Sequence, residues 1–414
     1  MEPLTLGRRL RAARERRGLN QQSAAEAIDI PRTALTNIEA GTRSVSTAEL
    51  MQLASLYGRQ PAAFLSDDDE TMEELSIFLP RALPEMQGSE GFGAAVQRMV
   101  DLCKVGAHLR RQLDQHRDAV VPNYRAALHS TTEAIRQAEM VASEERRRLG
   151  LGNAPLSNLA EIITAEGIWV AAAELPDDFS GLFLSHADVG LAILVNGGHS
   201  LVRRRFSYAH EYAHALFDRE EVIAATRRTN ASALVEKRAN AFAAAFLMPA
   251  EGVSEQLQQI KKGYPSRQTQ IIFDVANNSM SDTEIRPPSG SQTVTYQDVA
   301  TIAKHFLVSY EAAAWRMRSL NRISQVDAQE LISKKEFGND YLKMLQFTEL
   351  LDDSSPETGE REREQELRSE LIRLATEAFR REEITLPRLR EIAMKLDLPA
   401  NEVVSLARAL TSGP

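Results

Sequence analysis

The sequence predicts a mainly α-helical chain carrying one small antiparallel sheet, an α+β arrangement, preceded by an N-terminal all-α domain. Three observations predict it. Residues 1–65 read as short helices broken at Arg17-Gly18-Leu19-Asn20 and Ala40-Gly41-Thr42-Arg43. Between 166 and 196 lie three short apolar runs, Gly167-Ile168-Trp169-Val170-Ala171, Gly181-Leu182-Phe183-Leu184 and Leu191-Ala192-Ile193-Leu194-Val195, each bounded by turn residues as strands are. Most of the remainder has helical patterning, including a stretch from Thr131 that ends in Arg146-Arg147-Arg148-Leu149-Gly150, a basic last turn with a glycine stop. Further helices are expected over about 201–218 and 233–247, the second stopped by Pro249.

At roughly 150 residues per domain, 414 residues suggest two or three domains. Their expected boundaries are an N-terminal domain over 1–67, a helical connector over 68–124, the α+β domain over 125–276, a loop or linker over 277–292, and a C-terminal helical region over 293–414. The acidic run Asp67-Asp68-Asp69-Glu70 marks the first boundary, and Asn-Asn-Ser, Pro-Pro and Ser-Gly-Ser mark the linker. The charge mixture of Glu360 to Leu410 reads as a solvated helix pair. Apolar residues at 43% suffice for ordinary cores, which excludes disorder as the main state. A net charge of -9 excludes a chain wholly devoted to coating nucleic acid, so any DNA contact must be local. The single cysteine, Cys103, excludes a disulfide framework and any multi-cysteine zinc site; a metal must sit on histidines and carboxylates. No run reaches the ~18 apolar residues of a membrane span, and the start lacks the apolar core of a signal peptide, so a cytoplasmic protein is expected.

Within the first domain, Gln21 to Ile28 and Pro31 to Glu39 read as two short helices around a turn at Asp29-Ile30. Proline suits a helix start, where its missing N–H would be unpaired anyway. Ala24, Ala25, Ile28, Ile30, Leu35 and Ile38 supply an apolar face, and Arg32, Thr33, Thr36 and Asn37 the opposite one. That polar set can hydrogen-bond base edges or phosphates. Residues 1–65 hold nine arginines against six acidic residues, a local excess of positive charge inside an acidic chain.

In the α+β domain, Phe206-Ser207-Tyr208-Ala209-His210-Glu211-Tyr212-Ala213-His214 contains the pattern H-E-x-x-H. Four residues make about one helical turn, so His210 and His214 share a face and can grip one ion. Glu211, one position along, reaches a water beside the ion rather than the ion itself, the place of a general base. A third ligand must be a carboxylate. Asp218 is four residues further along the same helix, which strings three ligands over ~12 Å, too far for one tetrahedral ion. Glu220 and Glu221 fall at the helix end. Glu236 opens a second apolar helix able to pack across the first, and is the best placed of the four. The competing reading makes it a surface glutamate on an amphipathic helix. Asn240, one turn on, shares its face and is placed to orient a ligand histidine.

These stretches carry two resemblances. Leu19-Asn20-Gln21, Ala24-Ala25, Leu35-Thr36-Asn37-Ile38-Glu39 and Gly41-Thr42-Arg43 resemble the Xre/Cro-type helix-turn-helix across about residues 4–65, with Asp29 and Pro31 as departures. That resemblance implies base contacts from Arg32, Thr33 and Asn37, phosphate contacts from Gln21 and Arg43, and a homodimer on double-stranded DNA. Residues from about 125 to 250 resemble an ImmA/IrrE-type metallopeptidase, a zincin-like fold. The matching stretches are Arg147-Arg148-Leu149-Gly150-Leu151-Gly152, Ser180-Gly181-Leu182, Arg204-Arg205-Phe206 leading into the His210 motif, and Glu236-x-x-Ala239-Asn240-x-Phe242-Ala243 leading to Leu247-Met248-Pro249. It implies Zn2+ on His210, His214 and Glu236, Glu211 as catalytic base, and cleavage of a helix-turn-helix repressor in response to stress or mobile-element signals. Two function classes follow: a DNA-steered zinc endopeptidase, or a DNA-binding regulator whose peptidase-like domain senses without cutting. Intact Glu211 favours the first, because a pure sensor has no need of it. The rhythm of residues 298–318 is expected to be a helical subdomain packed on the peptidase.

Overall fold

The structure is a computed structural model that describes residues 3–16, 20–28, 30–57, 64, 90–114, 121–124, 126–186, 189–219, 223–227, 233–262, 268–274, 279–285, 288, 290–345, 347, 365–399, 402–403 and 405. The turn residue Asp29, the acidic runs at 67–70 and 352–357, Glu220 and Glu221 lie outside them. The chain forms two compact units, Met1–Gly88 and Ser89–Pro414. Among the described residues, no helix is long and apolar enough to cross a membrane.

The first unit contains α1 (Pro3–Arg16), α2 (Gln21–Ala27), α3 (Arg32–Glu39) and α4 (Thr47–Tyr57). Asn20 caps α2 by accepting from the Ser23 amide at 2.8 Å. Pro31 stands as the extended residue just before α3, one position ahead of the first helical turn. The expected apolar face is the core: Ala24, Ala25, Ile28, Leu35 and Ile38 are buried with Leu10, Leu53 and Phe64. Beneath it, Glu39 is buried and accepts from Arg14 Nε at 2.7 Å, Arg14 Nη2 at 3.1 Å and Gln21 Nε2 at 2.8 Å, tying three helices together.

The second unit starts with α5 (Glu90–Gln112), α6 (Thr131–Arg148) and α7 (Leu159–Ala165). Ser130 caps α6, and Gly150, at φ 66°, takes the left-handed conformation just beyond the helix, so the basic last turn and glycine stop stand as expected. The sheet follows in β1 (Trp169–Ala173), β2 (Phe179–His186) and β3 (Gly190–Asn196), with β4 (Ile223–Arg227) added beyond α8 (Leu201–Phe217). Its order is β1-β3-β2-β4.

The sheet is mixed, which corrects the antiparallel expectation. β2 is antiparallel to β3 and β4, but β1 runs parallel to β3. The cause is the 174–178 connection, which crosses the end of β3 and sets β2 down on its far side. The buried side chain of Asn196, the last residue of β3, anchors that crossing. Its amide donates to the Leu175 and Phe179 carbonyls, both at 3.0 Å, and accepts from the Leu175 and Gly198 amides at 3.3 and 2.9 Å.

Two helices follow, α9 (Leu234–Leu247) and α10 (Ala250–Gln259), then the paired strands β5 (Gln268–Asp274) and β6 (Ser279–Ile285). β6 falls inside the 277–292 stretch expected to be loop or linker. Its polar sequence hides a strand whose partner is the ladder of β5, running from Gln268 opposite Ile285 to Asp274 opposite Ser279. The helices α6, α8 and α9 pack together around Tyr212, Phe217, Phe242 and Phe246.

Four helices come next: α11 (Tyr296–Phe306), α12 (Tyr310–Ser319), α13 (Gln325–Ser333) and α14 (Lys335–Met344). They pack on the preceding domain as expected. Arg316, buried, donates to the Met248 carbonyl at 2.9 Å and pairs with Glu139; Arg205, buried on α8, donates to the carbonyls of Leu307, Ser157 and Leu156. The last pair, α15 (Gln365–Arg380) and α16 (Leu386–Lys395), is not a free solvated pair: it buries Leu371, Leu374, Ala378, Leu389 and Ile392. α15 packs on α5 and β1, with Arg110 paired to Glu370 at 3.1 Å and lying 3.7 Å above the Trp169 ring. α5 thus belongs to this unit rather than to a connector.

Candidate functional site

Every residue of α8 from Ser207 to Phe217 is buried, so the H-E-x-x-H segment sits inside the domain. Ala209, Ala213 and Leu216 fill the core side, which leaves His210 and His214 facing α9. Across from them Glu236, in the first turn of α9, is 6% exposed, which rules out a solvated surface glutamate. His210 Nε2 lies 3.1 Å from Glu236 Oε2 and 3.2 Å from His214 Nε2, and His214 Nε2 is 3.8 Å from Glu236 Oε1. One ligand atom from each residue lies within 4.8 Å of the others.

The outer nitrogens explain the inner ones. His214 Nδ1 stands 3.0 Å from Asp218 Oδ2, and a carboxylate only accepts, so His214 donates there and turns a lone pair on Nε2 inward. His210 Nδ1 stands 3.0 Å from Asn240 Oδ1, the same arrangement with an amide, and the one anticipated for Asn240. With both outer nitrogens donating, two imidazole lone pairs and a carboxylate would converge on one point. Such a set repels itself in a dry interior and is satisfied by a cation; two imidazoles and a carboxylate suit zinc and leave a fourth position open.

Glu211 points elsewhere. It is fully buried, and neither carboxylate oxygen has a hydrogen-bond partner among the described residues. Burial pushes its carboxyl above the usual carboxylate range; His210 and His214 pull it back in part, and Glu236 pushes it further up. Room for it comes from β2. A Cβ on Gly181 would lie 2.7 Å from Glu211 Oε1 and 3.1 Å from its Cγ. Burial also lowers the His214 imidazole, but Asp218, Glu211 and Glu236 together outweigh it and leave the ring more basic than usual.

The polar side of α3 is laid out as expected: Arg32, Thr33, Thr36 and Asn37 are all exposed. Gln21 and Arg43 are less free. Gln21 donates to Glu39 and accepts from the Thr36 hydroxyl at 3.2 Å, while Arg43 pairs with Glu49 at 2.7 Å on the surface. Three residues with a part in the peptidase-like site were not assigned one from the sequence. Asp218 was weighed there as a metal ligand and instead accepts from His214 Nδ1 at 3.0 Å. Arg238 donates to Asp218 Oδ1 at 2.6 Å. Gly181 was visible as part of a short motif, but its reason, the approach of Glu211, is tertiary.

Residues 164–318 match the peptidase family described as IrrE N-terminal-like domain, and residues 5–64 match the family described as Helix-turn-helix domain. The chain is thus similar to a helix-turn-helix domain in its first unit and to an IrrE-like domain in its second. The IrrE-like match begins just before β1 and ends in α12, so it takes in α8, α9 and the whole His–His–Glu cluster. The HTH-type transcriptional regulator ImmR of Bacillus subtilis (strain 168) is 30% identical over 82 residues, which is 20% of this chain and 65% of the regulator. The crystal structure of Bacillus thuringiensis PlcR in complex with the peptide PapR7 and DNA aligns over 99% of this chain and 100% of that one, at 10% identity. Its TM-score of 0.18 carries no structural argument.

Proposed function

We propose that this chain is a DNA-binding zinc endopeptidase of transcriptional regulation, whose substrate is a helix-turn-helix repressor cut when a stress or mobile-element signal arrives. One observation carries the reading: His210, His214 and Glu236 turn three acceptors onto one point, with the buried carboxylate of Glu211 beside it. A zinc ion held there supplies Lewis acidity to the attacking water and the scissile carbonyl. Glu211 then takes the proton of that water and returns it to the leaving amine. Its raised basicity suits the exchange, because an ordinary carboxylate is a weak base at neutral pH. Asn240 and Asp218 keep the two rings turned inward, so the ligand set needs little rearrangement.

The DNA-binding half rests on α3, which presents Arg32, Thr33 and Asn37 to solvent, the arrangement that reads a major groove. Such modules pair on symmetric half-sites, which supports a homodimer on double-stranded DNA. A protease tethered this way gains effective concentration on repressors bound to the same DNA. The test incubates zinc-loaded full-length protein and its Glu211→Gln variant with candidate repressors, with and without DNA, and reads intact masses. Wild type should release two fragments that sum to one repressor plus one water, and the variant none. If neither protein shortens any repressor while both regulate the same promoters in cells, the domain senses rather than cuts.

A further inference from the structure

The two imidazoles are held unequally. His210 leans on a neutral amide, Asn240, whereas His214 leans on a carboxylate, Asp218. Asp218 closes the C-terminal end of α8, where the helix dipole opposes a negative charge, and its side chain is only 13% exposed. An acid so placed is costly unless it is paired. Its partner is Arg238, 2% exposed, with Nη2 2.6 Å from Asp218 Oδ1. The guanidinium lies 4.3 Å from the Phe217 ring centre and reaches the Ala126 carbonyl at 3.3 Å and Gln137 Oε1 at 3.4 Å. Arg238 is two residues from Glu236 on α9. The pair therefore links the end of the helix carrying both histidines to the helix carrying the third ligand.

We infer that Asp218 and Arg238 form a positioning pair that fixes the His214 tautomer and sets how tightly the site retains its metal. The inference rests on the zinc-peptidase reading. Arg238 Nη2 holds the Asp218 carboxylate at 2.6 Å, and Asp218 Oδ2 in turn holds the Nδ1 side of the His214 ring at 3.0 Å, which turns Nε2 inward toward Glu236.

The test measures zinc affinity of the full-length chain by competition with a chromophoric chelator. It also follows the His214 Nδ1–H resonance of the zinc-loaded protein by NMR. Asp218→Ala should weaken zinc binding about 10–100-fold, the usual cost of losing an outer partner, and the Nδ1–H signal should exchange away. Because that variant strands a buried arginine, Asp218→Asn/Arg238→Gln is measured beside it; this pair keeps the volume and removes both charges. It should weaken zinc by at least about 10-fold and shift the Nδ1–H signal, while thermal melting shows it folded. Wild-type affinity with an unmoved signal in the Asn/Gln protein overturns the inference alone. Failure of the wild-type chain to retain zinc overturns the zinc reading and the inference with it.

Discussion

Substituting Gly181 by alanine should separate metal binding from hydrolysis. The added Cβ would sit 2.7 Å from Glu211 Oε1, 3.1 Å from Glu211 Cγ and 3.1 Å from the Leu194 carbonyl. A comfortable contact is about 3.5 Å, so the closest approach falls short by roughly 0.8 Å. The Leu194 carbonyl belongs to β3, inside the sheet, and cannot withdraw. Relief must come from Glu211, displaced by about the same distance. A misplacement near 1 Å costs on the order of 100-fold in rate, and overpacking costs about 1–3 kcal/mol of stability. His210, His214 and Glu236 are not touched, so zinc affinity should stay within about threefold of wild type, far less than the 10–100-fold cost of losing a ligand's partner. The assay pairs initial rates of repressor cleavage with chelator competition on the same preparation. Full activity in Gly181→Ala would refute the role given to Glu211. Parallel loss of zinc and activity would show that Gly181 supports the ligands instead.

Three other outcomes follow from the same structure. In the metal-free protein, burial raises the Glu211 carboxyl above its unfolded value, so its contribution to stability is full at acid pH and lost as pH rises through the raised value. Glu211→Gln should therefore flatten the rise in apo stability on acidification and raise the neutral-pH melting temperature by the equivalent of about 1–3 kcal/mol, read by calorimetry across pH. Glu39→Ala removes the buried carboxylate shared by Arg14 and Gln21 in the first unit and should cost about 3–5 kcal/mol, seen as loss of DNA binding and of a cooperative melting transition for that unit. Arg32→Ala should relax base preference by about 1–3 kcal/mol in a competition assay, whereas Gln21→Ala, whose amide is held by Glu39, should act through stability and leave preference unchanged.

Local patterns carried most of what the sequence disclosed. The helix-turn-helix was legible because its cap at Asn20 and its apolar spacing are short-range. The placement of Glu236 beside the two histidines was reachable because an apolar helix able to pack across the first begins at that point. Three strands were visible as apolar runs, but their directions were not: the parallel pairing of β1 and β3 depends on a crossing loop held by Asn196, a contact spanning about twenty residues. β4, β5 and β6 escaped because the apolar runs of β4 and β5 are only three residues long and set among polar ones, and β6 has none. Asp218 could be seen only as one more acid near the motif, since what decides its role is Arg238 arriving from another helix. The α15–α16 pair read as solvated because its buried leucines meet α5, a partner about 260 residues away.

The central claim is that His210, His214 and Glu236 hold one zinc ion in a site with an open position. X-ray absorption at the zinc edge, on full-length protein loaded with one equivalent and passed over a weak chelating resin, tests it directly. The expected result is one zinc per chain, with two imidazole nitrogens and only oxygen otherwise, at about 2.0–2.2 Å. His210→Ala and His214→Ala should each lose the ion, and Glu211→Gln should keep the same spectrum. A zinc content near zero in wild type, or a spectrum unchanged by His214→Ala, would contradict the account.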